Sequence, residues 1–316
     1  MPSETTNIFR FSLADGGVAF ASQGTVPGHI LNQFSMDEYG ETFRIATSVG
    51  HLARMANENT SSNNLYVLNR ALETVGSIED IAPGESIYSV RFMGDRTYMV
   101  TFKKVDPLFV IDTSDPRNPK ILGKLKIPGY SDYLHPYDAT HLIGFGKDAV
   151  DAAEGDFAWY QGMKIALFDV SDVSNPKELY STVIGDRGTS SPLLSNHKAL
   201  LFDKTRNLLA FPVTVYELTD AQKSASSRTG NEYGSPVFQG AYVYDLTIAG
   251  GFKKLGTITH YADDSTFMKS GSYWYGGVSD ISRILRIQDS LLTVSQDQVK
   301  STSWPGMKEE GSVKVQ

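Results

Sequence analysis

The side chains with the widest chemical reach in this sequence are six histidines and a surplus of carboxylates; with no cysteine present, thiolate nucleophiles, disulfides and thiolate metal sites are excluded. The densest grouping is Asp132, His135, Asp138 and His141. Imidazole and carboxylate together suit zinc or a similar metal. The spacing works against that use, because Asp132 and His135 are three apart and fall on opposite faces of a strand, and His135 precedes Pro136, which interrupts pairing. Histidines bonded to neighbouring loops are the preferred reading, with a zinc site as the alternative. Two acidic loops, Asp112-Thr113-Ser114-Asp115 to Asn118 and Asp169-Val170-Ser171-Asp172 to Asn175, alternate oxygen donors as calcium loops do. Neither has the twelve-residue spacing with its central Gly and terminal Glu, so side-chain-to-backbone turns are expected instead. The sequence holds no Gly-x-Ser-x-Gly elbow, no Gly-rich phosphate loop ending in Lys-Ser or Lys-Thr, and no His-Glu-x-x-His. Gly271 to Gly277, rich in Tyr and Trp, reads as a packing loop, or alternatively as a surface on which a sugar could stack.

These groups need elements to hold them, and the pattern supplies strands. Residues 84–129 read as four in succession, Ile87 to Met93, Thr97 to Phe102, Leu108 to Asp112 and Ile121 to Ile127, each rich in β-branched and aromatic residues and separated by turn residues. The stretch recurs. Ile165 to Lys177 repeats Leu108 to Lys120 with Asp, Ser-Asp and Asn-Pro-Lys in register, and Ala241 to Asp245 with Lys254-Leu255-Gly256 repeats it again. Weaker copies are Leu65 to Asn69 with Thr74-Val75-Gly76, and Ile8 to Ser12 with Val26-Pro27-Gly28. Five hairpins carrying Asp37, Asp95, Asp138, Asp203 and Asp289 fall between them.

The expected fold is therefore an all-β propeller of about five four-stranded blades in one domain spanning residues 1–316, or the C-terminal part of a larger propeller. The N-terminal outer strands, residues 6–28, are expected to close it by pairing with the C-terminal inner strands, residues 282–295. Helix is expected only near residues 148–160 and 218–226. Counting back six residues from each hairpin Asp gives Leu31, Ser89, Asp132, His197 and Arg283; one further back gives Ile30, Tyr88, Ser131, Asn196 and Ser282, with Asp280 nearby. If these begin the inner strands they crowd one mouth of the channel, where propellers commonly bind ligands. Ser89, Asp132, His197 and Arg283 are the candidate ligand-binding residues, and Asp132 and His197 the candidate metal ligands.

The runs 31–47, 82–148 and 164–178 resemble the archaeal and bacterial secreted proteins that bear a C-terminal β-propeller domain distantly related to WD repeats. The resemblance extends from about Ile8 to about Ser295. It implies a propeller fold and an extracellular or cell-surface location, and it implies no reaction. This chain shows no signal peptide ahead of the propeller.

A formal net charge of −7 without a basic cluster argues against nucleic acid, and no run approaches the roughly 18 apolar residues of a membrane span. Asn59-Thr60-Ser61 is a glycosylation sequon in a polar loop. The leading expectation is a noncatalytic binding or assembly module whose partner is a protein or glycan at the cell surface, with self-assembly as a further option and no required cofactor. The alternative is a metal-assisted hydrolase or lyase at the channel mouth, using zinc or calcium.

Overall fold

The computed structural model describes residues 4–14, 16–51, 60–103, 106–127, 129–152, 157–226, 228–271 and 273–315. Two compact units emerge, one of residues 1–142, 152–158 and 169–177, the other of residues 143–151, 159–168 and 178–316. Their building block is the four-stranded antiparallel meander, in which chain order and spatial order coincide.

The strands are β1 (Thr5–Ala14), β2 (Gly17–Pro27), β3 (Met36–Tyr39), β4 (Thr42–Val49), β5 (Ser62–Leu68), β6 (Thr74–Ile81), β7 (Ser86–Met93), β8 (Arg96–Phe102), β9 (Asp106–Asp112), β10 (Lys120–Ile127) and β11 (Tyr130–Asp138). They continue as β12 (His141–Asp151), β13 (Ala158–Asp169), β14 (Lys177–Ile184), β15 (Leu201–Asp203), β16 (Leu208–Glu217), β17 (Ser235–Thr247), β18 (Gly251–Ile258), β19 (Arg283–Ile287), β20 (Ser290–Val294), β21 (Gln298–Ser303) and β22 (Glu309–Lys314). Among the described residues the sheets are β3–β6, β7–β10, β11–β14, β15–β18 and β19–β22, with β1 and β2 forming a two-stranded sheet of their own.

The five four-stranded blades match the sequence pattern, but the expected closure does not. β1 pairs with β2 alone, and β19–β20 is completed by β21 and β22. The two C-terminal strands, Gln-Val-Lys-Ser-Thr-Ser and Glu-Glu-Gly-Ser-Val-Lys, carry little apolar signal because every residue of β22 is exposed. An outer edge strand needs ladder hydrogen bonds more than it needs apolar side chains. The helix expected near residues 148–160 is replaced at both ends by strand, β12 running on to Asp151 and β13 beginning at Ala158, while residues 153–156 lie outside the described residues. The helix expected near residue 220 is present as α1 (Asp220–Ser224), and a second, α2 (Ser265–Ser270), lies where none was expected. Asn59 of the sequon lies outside the described residues.

The core sits between sheet faces. In the first unit Ala46 and Leu65 of one sheet meet Ile87, Val90, Met99, Phe109 and Ile111 of the next, and in the second Leu208, Ala210, Ala241 and Val243 meet Ile284 and Leu291. Each large side chain so buried contributes about 1.5–3 kcal/mol. Central strands are covered on both faces, which is why all seven residues of β5 are buried.

One irregularity recurs. Where β6, β10, β18 and β22 pair with the third strand of their sheet, one residue bulges out, Val75, Leu122, Leu255 and Glu310 in turn, and a glycine follows it. In three sheets that glycine lies against the turn between the third and fourth strands of the sheet that follows. A Cβ at Gly76 would come within 2.3 Å of the Pro116 carbonyl oxygen, one at Gly123 within 2.3 Å of the Val173 oxygen, and one at Gly256 within 3.2 Å of the Met307 side chain. The acidic turns are as the sequence suggests. The Ser114 and Arg117 amides donate to the carboxylates of Asp112 and Asp115, and those of Ser171 and Ser174 to Asp169 and Asp172, at 2.8–3.1 Å.

Candidate functional site

The four residues singled out from spacing lie two in each unit. Ser89, on β7, is buried and its hydroxyl donates to the Ser131 carbonyl at 2.6 Å. Beside it the rings of Tyr88, Phe102 and Tyr130 close up at 4.4–5.5 Å between centroids. Asp132 is half-buried on β11. His197 begins a short 3-10 turn, His197–Ala199, capped by the Asn196 side chain. Arg283 opens β19 with its guanidinium donating to the Ser282 carbonyl at 3.0 Å. The count from Asp37 misses, because Asp37 lies inside β3 and the turn comes at Gly40 and Glu41. Leu31 accordingly falls ahead of the strand, and Asp37 pairs with Arg44 instead.

The histidines mostly serve local structure. His135 meets the Tyr133 hydroxyl at 3.0 Å, and His141 lies 2.8 Å from Asp138. Among the described residues no three His, Asp or Glu side chains gather as a metal ion would need. His260 is held on both ring nitrogens, Nδ1 against the Ser295 hydroxyl and Nε2 against the Thr293 hydroxyl, each at 2.9 Å. Ser295 in turn donates to Asp297 at 2.6 Å. With its one proton committed to the carboxylate, Ser295 must accept from Nδ1, a tautomer assigned from the network. That order, carboxylate to serine to imidazole, makes the imidazole a donor to the hydroxyl and not the base upon it, so it is not a Ser-His-Asp triad.

Burial and the nearby Lys300 ammonium lower the His260 pKa to about 4. An unfolded chain would take up this proton near pH 6.5. Above that pH the ring is neutral in both states; between pH 6.5 and 4 only the unfolded state is protonated, so stability falls with pH and levels off below 4. The full shift corresponds to about 3 kcal/mol, and solvent screening of a half-buried ring brings it to roughly 1–2 kcal/mol. Denaturation midpoints of wild type and His260→Gln at pH 7 and pH 4.5 should differ less in the variant. An equal acid loss in both would show that His260 does not contribute.

One arrangement open to a ligand lies in the loop between α2 and β19. Here a cleft of about 480 Å3 is lined by Tyr275, Gly276, Gly277, Val278, Asp280, Ser282 and Gln296. The loop is fixed from below. Trp274 packs against Phe267 at 4.9 Å and Tyr261 at 5.6 Å, its amide donates to the Tyr216 hydroxyl and its indole N–H to Asp280 at 3.1 Å. The Tyr261 hydroxyl donates to the same carboxylate at 2.7 Å, and burial followed by that carboxylate pushes its pKa up. Gly277 is required, since a Cβ would stand 2.4 Å from the Tyr261 hydroxyl oxygen. Farther along, Gln239 brackets Ile281 by accepting from its N–H and donating to its carbonyl. The Ser279 and Ser295 hydroxyls hold the Asp297 carboxyl below the usual range.

From this base Tyr275 projects with 94% of its surface exposed, beside Tyr273 and Val278, which are also exposed. Within the loop Trp274 packs inward, as the packing reading has it, and the flanking tyrosines face solvent. Asp280 and Ser282, both placed near a polar mouth by the strand count, line the cleft; Ser89, Asp132, His197 and Arg283 do not.

Successive four-stranded antiparallel meanders, stacked face to face within each unit, define a β-propeller protein. Residues 1–307 match the family described as Beta propeller domain, and the chain belongs to that family. An uncharacterised protein of Methanocaldococcus jannaschii is 44% identical over 209 residues, covering 66% of this chain and 31% of its own length. One from Archaeoglobus fulgidus is 38% identical over 232 residues, covering 72% of this chain and 33% of its own. The chain thus spans about a third of the length of these curated relatives. Among solved structures, BamB from Moraxella catarrhalis aligns with 98% of this chain and 74% of its own, at 10% identity and a TM-score of 0.44.

Proposed function

We propose that this chain is a noncatalytic binding module whose partner is a polypeptide held at the Tyr273–Asp280 loop, and that it works outside the cell. The observation that carries the binding site is Tyr275, almost wholly exposed on a loop immobilised by Trp274, Tyr261 and Gly277. A rigid, amphipathic ring loses little conformational freedom on binding, the property that enriches tyrosine at interaction surfaces. Asp280 and the net charge of −7 favour a segment that brings Lys or Arg to the cleft and apolar side chains to Tyr273, Tyr275 and Val278. The extracellular location is supported by the resemblance to secreted proteins.

Immobilised protein should retain, from a peptide array, sequences combining a basic with an aromatic residue. Tyr275→Ala should weaken that retention about tenfold or more, the scale of an aromatic anchor, without lowering the denaturation midpoint. Retention of glycans in place of peptides, or of the same peptides by Tyr275→Ala, would overturn the assignment. For location, protease added to intact cells producing a full-length relative should cleave it; full resistance that ends on lysis would place the protein inside.

A further inference from the structure

The β1–β2 hairpin bears the marks of the third and fourth strands of a larger sheet. Its pairing carries the same one-residue bulge on the second strand, at Ala21, between the pairs Arg10 with Ser22 and Phe11 with Phe20. Two residues beyond Ser22 on the same face, Gly24 meets the turn between β5 and β6: a Cβ there would stand 2.4 Å from the Leu72 carbonyl oxygen. That is the relation Gly76 has to Pro116 and Gly123 to Val173, so Gly24 is the hairpin's counterpart of those glycines, in place of Gly28 of the Val26-Pro27-Gly28 match. The same side of the hairpin is seated on the following sheet, with Ile8 and Val26 buried against Ile45, Tyr66 and Leu68, and Arg10 and Ser22 donating to the Arg70 carbonyl.

The opposite side is uncovered. Phe9, Phe11 and Leu13 alternate along β1 with Val18 and Phe20 opposite them on β2, each between 55% and 80% exposed. β1 pairs on one edge only, whereas β5, β9, β17 and β21, the third strands of their sheets, pair on both. An apolar face beside an open strand edge is a template for added strands.

We propose that β1 and β2 are the outer half of a further blade, completed by two strands added along the free edge of β1 and covered on the phenylalanine face by the sheet before it. The occupant is the stretch of a full-length family member that leads into β1. Strands run from first to fourth in chain order in all five complete sheets, so the missing first and second strands are those that immediately precede the third. The relatives supply the material, being about three times as long as the part this chain spans.

The test compares amide hydrogen exchange in this chain with that in the full-length Methanocaldococcus jannaschii relative. Amides corresponding to β1 should exchange about a hundredfold more slowly in the full-length protein and approach the protection of β5, while those of β5 change little. Equal rates for β1 in the two proteins would overturn the proposal. Sedimentation of this chain with Phe11→Lys and Phe20→Lys, both at exposed positions, covers the competing occupant. A wild-type dimer that these substitutions dissolve, together with slow β1 exchange in the dimer, would mean that a second copy fills the edge and would equally overturn it. A monomeric wild type with fast β1 exchange supports it.

Discussion

Arg44→Ala is expected to destabilise the protein by roughly 3–5 kcal/mol, the cost of emptying the space of a large buried side chain and leaving the acceptors it bonds without their donor. Arg44 is 1% exposed, and its guanidinium pairs with Asp37, donates to the Gly94 carbonyl and to the Thr113 hydroxyl at 2.8 Å, and lies over the rings of Tyr39 and Phe92 at 4.8 and 5.0 Å. It thereby links β4 to the β7–β8 turn and to the end of β9, and its loss strands acceptors on both sheets. Asp37→Asn should cost less, because the amide oxygen can still accept from Arg44, although the buried guanidinium then lacks its counter-charge. Denaturant midpoints of the two variants check this. Equal losses would mean that only the ion pair matters and that the carbonyl, hydroxyl and ring contacts add nothing.

Gly123→Ala is expected to cost about 3 kcal/mol, toward the upper end for overpacking. Its new methyl would stand 2.3 Å from the Val173 oxygen and 3.0 Å from Ser174, and main-chain atoms held in a turn cannot swing aside as a side chain could. Gly311 is the internal control. It occupies the equivalent place after the bulge in β22 with nothing within 4 Å, so Gly311→Ala should leave stability unchanged or raise it slightly. Matching losses at both positions would locate the effect in the bulge itself and not in the contact between sheets.

Much of the architecture could be read from residue pattern. Residues 84–129 separate into four strands because β-branched and aromatic runs are broken by Gly-Asp and Asp-Pro turns, and β7 to β10 agree with that reading to within a residue or two. The paired carboxylates of the acidic loops were legible because an Asx turn is decided within three residues. The ends of the chain were not. β21 and β22 carry polar and charged side chains, and what fixes them is the ladder to β20, a non-local feature invisible to periodicity. β1 and β2 looked like an outer pair, which their bulge supports, but their partner was misassigned to β19–β20. The candidate site was only partly legible. Ser282 came from the strand count and Asp280 was noted beside it, but the four residues chosen as the site, Ser89, Asp132, His197 and Arg283, line no part of this cleft, and the opposite orientations of Trp274 and Tyr275 depend on Tyr261, Phe267 and Gly277, since a loop has no repeat from which to infer facing. α2 went unseen because so short a helix is held by tertiary packing, here of Phe267 beneath Trp274, and not by propensity.

The contact made by the bulge glycines has a consequence for descent. Leu72, Pro116 and Val173 differ in side-chain shape, and each meets its glycine through a carbonyl oxygen that every residue possesses. A joint made of main chain is indifferent to which sheet stands on either side of it. A gene duplication or unequal recombination copying the stretch from one such glycine to the next would insert a sheet whose glycine joints already fit at both ends, leaving the apolar faces between sheets as the part to re-match. Ancestors and relatives of this chain could therefore gain or lose whole sheets without compensating substitutions at the joints, and lengths in the lineage should differ in steps of one sheet.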